Sequence, residues 1–446
     1  MPTLSTLLKL AWPVIISRMS QVVVGLCDAF MVAHLGETSL AATTTGALDS
    51  FTLFIFPMGV VFMVSSYASQ LFGKGDLPGA RRYGYYGLFV GLATLLLSIV
   101  SLPVIAPAIA HLPYTPEVRD LVVQYMRYRM LSAGAVVGME ALGNYYGGLG
   151  NTRLPMITSI LAMALNVLLC WLLIDGHWGL PGLGVKGSAL AGTLATWIAF
   201  LVLFGRFILD GRSTRGSGLG LRLREFGRML RFGVPSGLNW FLEFMAFAVF
   251  INVIVAGLGT TTLAGLMTVM QINSFSFMPA FALASAGAIL SGQAIGANNK
   301  DHVPGITFLT LKVAWAWQGI VGLAYFLLPG LLFAPFAPNA ADGEALRLVG
   351  TRLLMMSAAW QLFDATATTL AETLRAAGDT VFTLWARIVL AWTVFVPGAY
   401  LTSKYLHWKS DGAVVWLTTY LGLLAATLAI RFLRGRWRRI QLVGPA

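Results

Sequence analysis

The chain has 446 residues, 57% hydrophobic and 11% charged, with a net charge of +12. A soluble domain carries about 25% charged residues, which excludes a water-soluble globule. The apolar content excludes disorder, and two cysteines in a chain this long exclude a disulfide scaffold. An integral membrane protein remains, with its basic excess expected in cytoplasmic loops rather than on a nucleic-acid surface.

A helix needs about 20 apolar residues to cross the hydrocarbon core. Twelve stretches qualify, at 7–33, 40–72, 83–110, 118–149, 154–175, 185–209, 225–256, 262–296, 303–334, 343–376, 381–402 and 412–433. Long runs such as Leu88 to Ile109 lack the alternation of a barrel strand. The expected class is therefore an all-α integral membrane protein with 12 transmembrane helices. The first run contains Arg18 and Asp28 and no small-residue cleavage site, so it is read as a retained helix and not a signal peptide. Cys27 and Cys170 lie in apolar runs and are expected as free thiols.

The basic residues orient the chain. With the N terminus in the cytoplasm, inside segments hold Lys9, Lys74, Arg81, Arg82, Arg153, a dense group from Arg206 to Arg231, Lys300, Arg375 and the tail Arg431, Arg434, Arg436, Arg438 and Arg439. Outside connections hold only Arg119, Lys186, Arg347, Lys404 and Lys409. Both termini are therefore expected inside.

The one long polar linker is 210–222, DGRSTRGSGLGLR, at mid-chain. It separates an N-terminal six-helix lobe, 1–209, from a C-terminal six-helix lobe, 223–446, and the two repeat each other. Leu10–Pro13, Leu35–Gly36 and Leu40–Ala41 match Leu230–Pro235, Leu258–Gly259 and Leu263–Ala264. Pro57, Gln70, Gly73 and Asp76 answer Pro279, Gln293, Gly296 and Asp301, and Gly150-Asn151-Thr152 answers Gly378-Asp379-Thr380, at offsets of 222 to 228. Six helices per half give parallel repeats, related by an axis along the membrane normal. Such a pair suggests a transporter that binds substrate between its halves and rocks to expose it to each side in turn.

Ionisable groups within spans cost about 2.5–3.5 kcal/mol each on insertion scales, so those that persist point to function. Asp28, Glu243 and Asp364 stand at midspan in the first, seventh and tenth helices, flanked by apolar residues. Asp28 and Arg18 are ten residues apart, too far along one helix to pair. A carboxylate offers a counter-charge to a cation in a low-dielectric cavity. A buried carboxyl can also hold a proton near neutral pH, so proton and cation compete for it, which suffices for antiport. Glu140, with Arg127 and Arg129 earlier in its helix, suits a local structural role as well as a cavity role. Glu372 and Arg375 have the spacing of a surface ion pair.

Polar neutral residues complete a candidate cavity lining. Asn239 lies one turn before Glu243 on the same face. Gln271 and Asn273 are in the eighth helix, Gln361 in the tenth, and Thr366 and Thr368 follow Asp364. Phe244 and Trp360 are among the aromatics near the acids that suit apolar walls with cation–π attraction. No GxxxxGK[ST] motif occurs, so ATP is not expected to drive transport. Five scattered His and two Cys give no metal-site spacing, and no nucleophile motif marks an enzyme.

With these elements in place the chain resembles the multidrug and toxic compound extrusion (MATE) transporters along essentially its whole length. The resemblance rests on LAWPVIIS, GLCDAFMVAHLG with SLAA, QLFGKGDLPGARR, RFGVPSGLNWFLEF and QLFDATATTLAETLRAAGDT, in that order. It implies a bacterial inner-membrane protein, expected as a monomer, that exports cationic amphipathic small molecules in exchange for Na+ or H+, with no other cofactor. The NorM-type branch is the nearer match. That branch implies a cation-coupling site, a candidate Na+ site, at Glu243 and Asp364, with Asp28 as the N-lobe acid linked to protonation or substrate. Asn166 and Thr193 match further family positions, but Cys170 stands where some members have Asp in an N-lobe sodium site. The rival reading is a lipid-linked oligosaccharide flippase of the same superfamily, which would need Arg18, Arg127, Arg129, Arg352 and Arg387 to line the cavity.

Overall fold

The computed structural model describes residues 2–111, 114–212, 220–336, 341–405 and 409–444. Residues 213–219 of the expected linker lie outside the described residues. The described chain is helical, without strands. In chain order the first half runs α1 (Leu4–Ala33), α2 (Glu37–Val61), α3 (Met63–Lys74), α4 (Leu77–Ala110), α5 (Pro116–Met130), α6 (Ala133–Gly148), α7 (Arg153–Ile174) and α8 (Val185–Arg212). The second half runs α9 (Leu223–Val249), α10 (Thr260–Gly296), α11 (Val303–Leu327), the short α12 (Pro329–Phe333), α13 (Ala341–Ser357), α14 (Gln361–Ala376), α15 (Thr380–Val389), α16 (Val396–Lys404) and α17 (Lys409–Leu433).

Ten spans among the described residues are long and apolar enough to cross a membrane. The two that complete the twelve, expected as continuous helices at 118–149 and 343–376, are each broken in the middle. The first is split into α5 and α6 and the second into α13 and α14, the latter across a 3-10 turn at Ala358–Trp360. A serine bonds back into the preceding turn at both breaks. Ser132 Oγ donates to the Arg129 carbonyl at 2.7 Å, and Ser357 Oγ donates to the Leu354 carbonyl at 2.6 Å. A serine hydroxyl that bonds back into its own helix competes with the ladder and bends it. The two serines are 225 positions apart, inside the range of the repeat offsets.

The repeat also fixes the helix starts and kinks. Gly36 before α2 and Gly259 before α10 have φ of 100° and 106°, open to glycine at little cost. Pro13 and Pro57 lie inside α1 and α2, and their counterparts Pro235 and Pro279 lie inside α9 and α10.

The helices gather into two compact units. One comprises residues 16–237 and the other residues 1–15 with 238–446. In the unit of residues 16–237, α7 packs on α8, α4 on α6, and α2 on α5. One of its cores is Ala42, Phe54, Ile105, Val122 and Met126, and another is Val32, Tyr125, Cys170, Ile174 and Val185. Gly187 in α8 lets the end of α7 approach. A Cβ there would stand 2.5 Å from the Leu173 carbonyl oxygen and 2.7 Å from its carbon. Gly187→Ala is therefore expected to cost about 1–3 kcal/mol through overpacking, read as a lower thermal midpoint of the detergent-solubilised protein.

In the second unit α14 is surrounded by α10, α11 and α17. Phe250, Leu266, Trp360, Leu370 and Leu424 share its main core. The first helical turns join this unit because Leu7 and Ala11 pack on Leu283, Ala286, Leu290 and Ile306. Two π-helical segments, Phe250–Val255 and Leu390–Phe395, meet where the Phe250 and Phe395 rings lie 4.8 Å apart.

Candidate functional site

Each unit carries its own cluster of acids and polar groups. In the unit of residues 16–237 the centre is Asp28, half-buried on α1. The Cys170 thiol on α7 donates to Asp28 Oδ1 at 3.3 Å. Asn166, one turn earlier on α7, also faces the carboxylate. Its amide is buried, and neither its nitrogen nor its oxygen completes a well-formed hydrogen bond. Arg129 on α5 is a further charged neighbour of Asp28, and its Nη1 is buried without a hydrogen-bond partner. Gly192 on α8 leaves room for both. A Cβ there would lie 3.2 Å from Arg129 Nη1 and 3.4 Å from Asn166 Nδ2. Thr193 is turned elsewhere, its hydroxyl donating to the Tyr128 carbonyl at 3.0 Å. Hard cations take oxygen ligands. This cluster offers one carboxylate and one amide oxygen, beside a soft thiol and a guanidinium. That donor set suits a proton better than sodium.

Arg18 does not serve Asp28. It grips Glu140 on α6 with two bonds, Nη2 to Oε1 at 2.8 Å and Nη1 to Oε2 at 3.2 Å. Asn144 Nδ2 adds a third at 3.0 Å. Glu140 is thus held by three side-chain bonds, two from Arg18 and one from Asn144.

In the other unit α9 presents Asn239 and Glu243 one turn apart. Asn239 is half-buried, with its Oδ1 lacking a partner. Glu243 forms an ion pair with Arg387 on α15. Asp364 lies in the first turn of α14, directly after the 3-10 break. A helix start favours negative charge, so the break places a suitable field beside a carboxylate in the middle of a span. Thr368, one turn further on, is the side-chain hydrogen-bond partner of Asp364. Tyr420 on α17 has a buried hydroxyl without a partner and feels both the Asp364 and Arg387 charges.

A polar chain braces the break that positions Asp364. Gln361 Nε2 donates to Asn273 Oδ1 at 2.9 Å, and the Ser276 hydroxyl donates to the same oxygen at 3.2 Å. The Tyr325 hydroxyl in turn donates to Ser276 Oγ at 2.9 Å. Trp315 Nε1 donates to Thr366 Oγ1 at 2.8 Å. Trp360 is 2% exposed and belongs to the core, while Gln271 and Phe244 are half-buried. Both cysteines are free. Glu372 and Arg375 do pair, at 2.5 Å, but not at the surface as their spacing suggests. Both are 5% exposed, because the helices around α14 cover its end.

Sequence reasoning missed two features. Asp49 is a further carboxylate inside a span, on α2, with Tyr114 as its hydroxyl partner and with Oδ2 buried and unpartnered. Its mid-helix position was the available signal. The neighbourhood of Arg129 to Asp28 and of Arg387 to Glu243 was also missed, since it depends on packing between helices far apart in sequence.

The family model described as MatE matches residues 13–172 and 235–401. The chain is 29% identical to the probable multidrug resistance protein NorM of Rhizobium meliloti (strain 1021), over 98% of this chain and 93% of that protein. It is 28% identical to a probable multidrug resistance protein NorM of Pseudomonas putida, over 99% and 96%. Among solved structures it is similar to a multidrug resistance MATE family transporter of the MOP superfamily in an outward-facing conformation. That match has a TM-score of 0.84 at 20% identity and covers 97% of this chain and 95% of the other. It is also similar to a MOP superfamily transporter from Pyrococcus furiosus, with a TM-score of 0.86 at 18% identity and coverage of 98% and 96%. That protein is described as having a binding pocket of reversed polarity that suggests a different function.

Proposed function

Since the chain belongs to the MatE family, we propose that this multi-pass membrane protein is a secondary antiporter that exports cationic amphipathic drugs or toxic compounds in exchange for Na+ or H+. The proposed setting is the bacterial inner membrane, with both termini in the cytoplasm. The names of the NorM relatives support multidrug export. The observation that carries the reading is Asp364, a carboxylate held in the first turn of a helix that begins inside a span, with no arginine paired to it among the described residues. Asp28 in the other unit supplies a second acid in a polar setting. In this reading a carboxylate holds the coupling ion on one side of the membrane and the organic cation on the other, and alternating access exchanges them.

The flippase reading needs arginines free to meet a pyrophosphate. Arg18 is held by Glu140, Arg387 by Glu243 and Arg352 by Asp411. Three of the five candidate arginines are thus neutralised by acids, which favours cation export.

Reconstitution into liposomes with an imposed proton or sodium gradient and a fluorescent organic cation tests the proposal. One of the two gradients is expected to drive the cation across. Transport driven by neither gradient would remove the antiporter.

A further inference from the structure

Glu243 does not stand as a bare carboxylate. It is ion-paired with Arg387, and the two side chains are unequally exposed, 40% for Glu243 and 13% for Arg387. The acid opens outward while the guanidinium is walled in by the unit. Arg387 Nε has no hydrogen-bond partner, and the Tyr420 hydroxyl near it has none either. The guanidinium is therefore held mainly by Glu243, with Tyr420 in electrostatic reach.

An alkali cation seated on Glu243 would share that carboxylate with a guanidinium that is always charged. It would meet like-charge repulsion at contact distance, in surroundings that screen it poorly. Nor does it readily expel Arg387 into water, because the guanidinium side chain is already largely covered, 13% exposed. A second cation on Glu243 is thus opposed from the buried side. The exposed side still lets the carboxylate face a larger organic cation, whose charge is spread and need not approach Arg387.

We infer that Arg387 is the resident counter-ion of Glu243 and keeps sodium off that carboxylate, so that it is a specificity-determining residue for the coupling ion. The inference rests on the antiport reading for its meaning, but its test does not require transport.

Equilibrium binding of 22Na+ to the purified full-length protein in detergent measures it. The wild type is expected to show no saturable sodium binding that depends on Glu243. Arg387→Gln removes the competing charge and is expected to bind sodium at least about 100-fold more tightly, and the gain is expected to vanish in Arg387→Gln/Glu243→Gln. Arg387→Lys keeps the charge and is expected to keep the exclusion. Sodium binding by the wild type that Glu243→Gln abolishes overturns the inference. So does a monodisperse Arg387→Gln protein that gains none. Were Arg387→Gln not to fold, 22Na+ binding by the wild type and by Glu243→Gln decides: binding that is lost in Glu243→Gln overturns the inference, and equal binding by the two supports it. Failure of all gradients would sink the antiporter and leave the sodium-binding result standing.

Discussion

Export by Asp364→Asn is expected to fall to the level of cells that lack the protein, with Asp28→Asn impaired but expressed normally and Glu243→Gln both impaired and less stable, because it leaves Arg387 unpaired. Asparagine preserves the shape of Asp364 and its bond to Thr368, so the fold is expected to survive. It cannot carry the negative charge that the first turn of α14 favours, nor trade a cation for a proton. Removing one charge from a buried, hydrogen-bonded pair costs about 2–5 kcal/mol, which is roughly 30-fold or more in affinity. Drug-susceptibility and dye-efflux assays, with membrane expression checked in parallel, read the outcome. Near-normal efflux by both Asp364→Asn and Glu243→Gln would remove the second unit's acids from the mechanism.

Hydropathy alone makes the membrane spans visible, because crossing lipid requires long apolar runs whatever the packing. It does not make the two breaks visible. A serine recurs at both breaks, Ser132 and Ser357. Its meaning depends on a back-bond that the sequence does not draw. The breaks matter for function because the second of them starts α14 three residues before Asp364.

The acids were legible for the same energetic reason as the spans, since a charge at midspan is costly wherever it points. Their partners were not. Helical spacing rightly denied Arg18 to Asp28, yet nothing along the chain could assign it to Glu140, 122 positions away. Likewise Asn239, Asn273 and Gln361 read alike as polar residues on inward faces. Packing separates them: Asn273 and Gln361 are joined in the brace beside the break, whereas the Asn239 carbonyl oxygen has no partner.

Breaking the Arg18–Glu140 pair is expected to produce a large loss of stability. The two side chains are 17% and 7% exposed and share two bonds, with Asn144 supplying a third to the carboxylate. Removing one partner of a buried pair leaves an uncompensated charge and costs about 3–5 kcal/mol. Arg18→Met and Glu140→Gln are therefore each expected to lower the thermal midpoint in detergent markedly. The double variant Arg18→Met/Glu140→Leu removes both charges, and apolar replacement of a whole buried pair is often neutral, so it is expected to recover most of the loss. If Glu140 is structural, that double variant also retains energised export. A double variant that is stable but silent in transport would instead place Glu140 among the coupling acids. Single variants as stable as wild type would deny the pair its structural role. The same carboxylate chemistry is thus divided by its neighbour: an arginine in two-bond contact makes Glu140 part of the scaffold, and its absence leaves Asp364 open to exchange.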